Sequence, residues 1–174
     1  MAKTKIPLAQ AEHDARVMVN ALRPFCSRIR SAGSVRRKEK YCGDLEIVCI
    51  PRMEPGLGGD ISMFDRIDWT LYGAVKLNGD RQKKIILRGG IQLDLFITTR
   101  EQWGYILMLR TGPADFSHKM VTPKADGGFM PGYLKCDDGF IWSRNHTVDT
   151  PEEIDVFNLY GMDYMEPPAR NKYK

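Results

Sequence analysis

The chain has 174 residues, 43% of them hydrophobic and 28% charged, with a formal net charge of +4. That length holds one domain or two small subdomains around a real core, and that balance excludes an intrinsically disordered chain. No apolar run approaches membrane-spanning length, and "MAKTKIPLAQ" lacks the apolar heart of a signal peptide, so the expectation is an intracellular, cytoplasmic protein that is not secreted.

In chain order, Leu8, Ala11, Ala15, Met18 and Leu22 recur at helical steps and predict a helix over 7–22, ended by Pro24. Residues 26–32 read as a short strand. Gly33-Ser34 breaks it, and 35–40 has room for a turn or two of helix. Residues 45–50 form a β-branched run closed by Pro51. The stretch 52–59, with Pro55 and several glycines, reads as a loop, and 61–71 as a helix. Residues 73–77 and 82–87 flank Asn78-Gly79-Asp80, a strong hairpin signal. Gly89-Gly90 then turns the chain into a strand over 91–98, and 100–109 has helical spacing.

Thr111-Gly112-Pro113 interrupts that helix, and Gly112-Pro113 is open to a cis bond because the trans preference of such bonds is only about 0.5–1 kcal/mol. Beyond it, 114–121 reads as a helix and 130–142 as a hairpin turning at Cys136-Asp137-Asp138-Gly139. Residues 151–160 read as a helix with Thr150 as its cap, Pro151 at its first position and Glu152 and Glu153 in its first turn. The texture divides the chain into residues 1–110 and 111–174.

Cys26, Cys42, Cys49 and Cys136 show no C-x-x-C pairing and no cluster with His13, His118 or His146. That spacing argues against structural zinc and for small buried hydrophobes. Charge is segregated by sign. Arg28, Arg30, Arg36, Arg37, Lys38 and Lys40 form one basic group; Lys76, Arg81, Lys83, Lys84 and Arg88 form another; Glu152, Glu153, Asp155, Asp163 and Glu166 are acidic. Such segregation points to a polyanionic partner, with a solvated charged surface as the alternative.

Asp44 and Glu46 stand two apart on a predicted strand and so share a face, with Leu45 and Ile47 turned into the core. Asp94 lies between Leu93 and Leu95 in a second apolar strand. If the two strands are neighbours, the three acids gather. Unpaired carboxylates at close range resist double ionisation, and a divalent cation relieves that. Oxygen donors of this kind suit Mg²⁺ and two-metal phosphoryl transfer. The alternative is that the acids pair with nearby arginines on a solvent face. Gly33 allows close backbone approach, Ser34 adds a hydroxyl, and Arg37 follows on the same helical face, which together suit a triphosphate.

Gly33-Ser34 with Arg36-Arg37, then Gly43-Asp44 and Glu46, then Asp94 after a hairpin, resembles the pattern of the family X DNA polymerases within the nucleotidyltransferase superfamily. "LRTGPADF" resembles the family's Thr-Gly turn, and Glu166, Pro167 and Arg170 match its C-terminal signature. The resemblance implies an α+β fold: a nucleotidyltransferase palm over 1–110, with a mixed β-sheet and flanking helices, and a small α+β C-terminal subdomain over 111–174 that binds nucleotide and template. No stretch resembles the family's lyase domain or duplex-gripping subdomain, a build similar to that of small viral members.

The implied function is DNA-directed transfer of a deoxynucleotide from a dNTP to a primer 3′-hydroxyl, in short gaps during repair, by a monomer. Asp44 and Glu46 would bind both of two Mg²⁺ ions, with Mn²⁺ as a substitute, and Asp94 the catalytic ion. Gly33, Ser34 and Arg37 would hold the phosphates, and Thr111 and Gly112 would lie against the sugar and base. Lys83, Lys84, Lys119 and Lys124 are the expected DNA contacts. Departures are Glu46 in place of the usual aspartate, Leu109-Arg110 in place of an aromatic pair, and Ser117 and His118 on the base-stacking helix. A nucleotidyltransferase working without template, or on RNA or protein, is the alternative enzyme; a non-catalytic nucleic-acid-binding module is the alternative of another class.

Overall fold

The computed structural model describes residues 5–173. Residues 1–4, part of the stretch read against a signal peptide, and Lys174 lie outside the described residues. The chain divides between Thr98 and Thr99 into two compact units, one helix before the boundary read from the sequence.

In the first unit, β1 (Ile6–Pro7) leads into α1 (Leu8–Leu22). Then come β2 (Cys26–Ser31), the short α2 (Gly33–Arg36), β3 (Tyr41–Cys42) paired with β1, and β4 (Asp44–Pro51). β5 (Met53–Glu54) and β6 (Ile61–Ser62) make a small hairpin. β7 (Gly73–Asn78), β8 (Gln82–Leu87) and β9 (Gln92–Ile97) complete the unit. The five-stranded sheet has the order β2-β4-β9-β8-β7, with β4 and β9 parallel and the other neighbours antiparallel. Ala11, Ala15, Met18 and Leu22 of α1 share one core with Leu45, Ile47, Leu93 and Leu95, the inward side of the β4 and β9 alternation.

Two local readings change. Residues 61–71 form no helix. They make β6 and two 3₁₀ turns, Met63–Arg66 and Trp69–Leu71. Ser62 accepts the Phe64 N–H at 3.2 Å and Asp68 accepts the Thr70 N–H at 3.0 Å. Side chains that bond nearby amides in this way offer the backbone a turn in place of a continuing helix. The turn at 33 also differs: α2 begins on Gly33 itself, which adopts φ +57°, and ends at Arg36.

The second unit holds α3 (Trp103–Thr111), α4 (Ala114–Val121), the antiparallel strands β10 (Leu134–Asp137), β11 (Phe140–Ser143) and β12 (His146–Val148), α5 (Glu153–Leu159) and a closing 3₁₀ segment, Pro167–Tyr173. The predicted hairpin is thus extended by a third strand. α3 belongs here because Gly104 lies against the chain entering α5. A Cβ on Gly104 would stand 2.0 Å from the Glu152 carbonyl oxygen, and its N–H donates to Thr150 O at 2.6 Å. The cap of α5 is Glu152, not Thr150: Glu152 and Asp155 bond each other's backbone reciprocally, while Thr150 bonds Glu101 O. Tyr105, Met108, Phe116, Met120 and Phe157 form this unit's core.

The fold is α+β with a mixed sheet and several helices. Every peptide bond among the described residues is trans, Gly112–Pro113 included. No helix among the described residues is long and apolar enough to cross a membrane.

Candidate active site

The parallel register of β4 and β9 sets Asp44 opposite Gln92 and Glu46 opposite Asp94. The antiparallel register of β9 and β8 sets Lys84 opposite Asp94 on its other side. A row of Glu46, Asp94 and Lys84 therefore crosses three strands. Asp94 is 7% exposed. Its Oδ2 accepts a hydrogen bond from Gln92 Nε2 at 2.8 Å. Its Oδ1 is buried without a hydrogen bond, with Lys84 Nζ 3.8 Å away.

Ala32 N–H donates to Glu46 O at 2.8 Å, which holds the start of α2 against β4. Gly33 is required there. A Cβ on it would stand 1.8 Å from Glu46 Oε2, in a left-handed conformation that other residues rarely adopt. The Glu46 carboxylate thus lies directly against Gly33. Arg37 follows α2 and is buried. Burial lowers its guanidinium's affinity for the proton, and Glu46, then Glu39, Cys42 and Asp44, act in the opposite sense. Its Nε lies 3.8 Å from Glu39 Oε1. The Ser34 hydroxyl is buried with no partner in hydrogen-bond geometry, although it offsets part of the upward push that burial gives the Cys42 thiol.

The structure therefore brings Gly33, Ser34, Arg37, Glu46 and Asp44 to one end of the β4–β9 pair, with Asp94 adjacent. Among the described residues, no group of three or more His, Cys, Asp or Glu side chains is arranged to hold a metal ion. The oxygen donors suit a hard divalent cation in kind, and the bare Asp94 Oδ1 is available to one. Among the described residues they are not gathered into a set of three cation ligands. Gln92 went unread in the sequence. The signal was its position two residues before Asp94, on the same strand face.

The lysines separate by strand face. Lys83 does not project as a phosphate contact. It is 8% exposed, donates to Asn78 Oδ1 at 2.6 Å and Gly79 O at 3.4 Å, and lies over the Trp69 ring. It braces the β7–β8 turn. Lys84, next along the strand, reaches the acid face. Lys76 and Arg88 are exposed.

In the second unit Thr111 is fully buried. Gly112 is fixed by packing, since a Cβ there would meet Phe116 Cδ1 at 2.4 Å and Ser117 Oγ at 2.7 Å. Lys119 lies over the Phe129 ring, and Lys124 is exposed with its Nζ donating to Tyr160 O at 3.3 Å.

No protein-family model matches the chain. It is similar to DNA polymerase lambda of Rattus norvegicus, with 26% identity over 183 residues. That alignment covers 94% of this chain and 32% of the polymerase, so the chain spans about a third of that relative's length.

Proposed function

We propose that the chain is a family X-like nucleotidyltransferase that joins a deoxynucleotide from a dNTP to a primer 3′-hydroxyl, filling short gaps in DNA. The observation that carries this reading is the Glu46–Asp94 register beside the Gly33-Ser34 turn and Arg37. The similarity to DNA polymerase lambda along nearly the whole chain supports it.

In this reading the 1–98 unit is the palm. Gly33 leaves space at the turn, and the Ser34 hydroxyl and Arg37 guanidinium bind the β- and γ-phosphates. Gln92 holds Asp94 by Oδ2, which leaves Oδ1 to serve the cation and the reacting primer hydroxyl. Asp44, Glu46 and Asp94 are the residues that would hold Mg²⁺. A divalent cation bound there would supply Lewis acidity toward the hydroxyl and the phosphates. Exposed Lys76 and Arg88 are the palm's candidates for DNA phosphate. The 99–174 unit serves nucleotide and template, with Gly112 offering backbone at a tight turn.

Primer extension on gapped DNA tests the reading, run with and without template, with dNTP and NTP, and with and without Mg²⁺. Template-directed, Mg²⁺-dependent dNMP addition with release of pyrophosphate is expected. Addition without template, or only of ribonucleotides, replaces the polymerase reading by another nucleotidyltransferase. DNA binding with no pyrophosphate release replaces it by a binding module.

A further inference from the structure

Asp94 is placed between neighbours of opposite charge, Glu46 on β4 and Lys84 on β8. One of its oxygens is pinned by Gln92 and the other is buried without a hydrogen bond. A buried acceptor left unbonded costs stability. The Lys84 ammonium offsets that cost by charge alone, because 3.8 Å is beyond hydrogen-bond range and well within electrostatic reach.

We propose that Lys84 is a positioning residue for Asp94: its ammonium takes the place of a divalent cation in the resting chain and withdraws when the cation binds. The proposal rests on the nucleotidyl-transfer reading of this sheet face. Three features fit the role. The Lys84 side chain is 40% exposed, so it has solvent to withdraw into. The missing hydrogen bond leaves the Oδ1 lone pairs available to a cation. Gln92 keeps Oδ2 fixed, so the carboxylate does not need to reorient when the ammonium leaves. Lysine suits such an exchange, as a point charge on a flexible stem, where a guanidinium would lock a carboxylate in a fork.

The test is a titration of the full chain with Mn²⁺ alone, followed by electron paramagnetic resonance of free Mn²⁺. Lys84→Met should bind Mn²⁺ about three- to tenfold more tightly than the parent, the range expected when a partly exposed charge is removed. Lys84→Arg, which keeps the charge, should show no gain, and the gain should vanish in the Lys84→Met, Asp94→Asn double variant. Lys84→Gln repeats the comparison if the methionine variant does not fold. Equal affinity in the neutral variant and the parent, including no binding by either, overturns the proposal. So does an equal gain in the arginine variant, or a gain that survives loss of the Asp94 charge. Unchanged Mn²⁺ affinity with weaker DNA binding and a flatter salt dependence makes Lys84 a phosphate contact instead. The titration needs no turnover. A protein that passes it and never extends a primer loses the polymerase reading and keeps the Lys84 assignment.

Discussion

Asp94 in the first unit and Glu153 in the second are both buried carboxylates, 7% and 5% exposed, and their oxygens are used differently. Glu153 Oε1 accepts from Arg170 Nη1 at 2.7 Å, and its Oε2 accepts from the Tyr164 hydroxyl at 2.9 Å. Arg170 is fully buried, spends Nε and Nη2 on Met165 O, and stacks near Phe116, Phe157 and Tyr164. Asp94 has one oxygen bonded and the other bare, with its cation at 3.8 Å. A closed network of charge holds a fold together. A buried carboxylate oxygen without a hydrogen bond is met in the resting chain by charge across 3.8 Å, and it lies where chemistry is proposed. Arg170 thus ties the closing 3₁₀ segment to Glu153 at the start of α5.

The largest effect expected from this contrast is on stability. Arg170→Met strands the Glu153 charge in the core and should cost about 3–5 kcal/mol, read by urea denaturation. Asp94→Asn in the same measurement should change stability by less than about 1 kcal/mol, since no hydrogen bond to Oδ1 is lost. Equal losses for the two variants would erase the distinction.

Catalysis should show the reverse ranking. Asp94→Ala should lower dNMP incorporation at least about a hundredfold, or ~2.7 kcal/mol, with nucleotide and DNA affinity retained. A residual rate above a few per cent of the parent would remove Asp94 from the chemistry. Next in size is Arg37→Ala, expected to weaken triphosphate binding about tenfold to a hundredfold, or 1.5–3 kcal/mol, measured by nucleotide titration. Unchanged affinity would leave Arg37 with a structural role beside Glu46 and Glu39.

The smallest effect belongs to Lys83, whose pKa is lowered by burial against a weaker opposing pull from Asp65 and Asp80. A lysine with a depressed folded pKa is protonated more readily in the unfolded chain. Stability should therefore rise with pH between that depressed value and the ordinary lysine range. Lys83→Met should flatten the rise in pH-dependent melting. A slope identical to the parent's would show that the ammonium meets no burial penalty.

What the sequence determined by itself is what neighbours along the chain dictate. The helical recurrence of Ala11, Ala15, Met18 and Leu22 buries one face of α1. Alternation puts Leu45 and Ile47 in the core and Asp44 and Glu46 on the other face, and Asn78-Gly79 closes a hairpin. Local competition was harder to read: Ser62 and Asp68 divert their backbone from helix, and Glu152, paired with Asp155, takes the α5 cap from Thr150. Tertiary structure alone decided that β4 and β9 are parallel neighbours with Glu46 opposite Asp94, that Glu46 fills the space Gly33 leaves, and that Lys83 turns in while Lys84 meets Asp94. Strand order and register are choices among distant backbone partners, and a slip of one residue exchanges the two faces. The alternation of Lys83 and Lys84 was visible in the chain. Which of them would meet a carboxylate depended on which strand came to lie beside them.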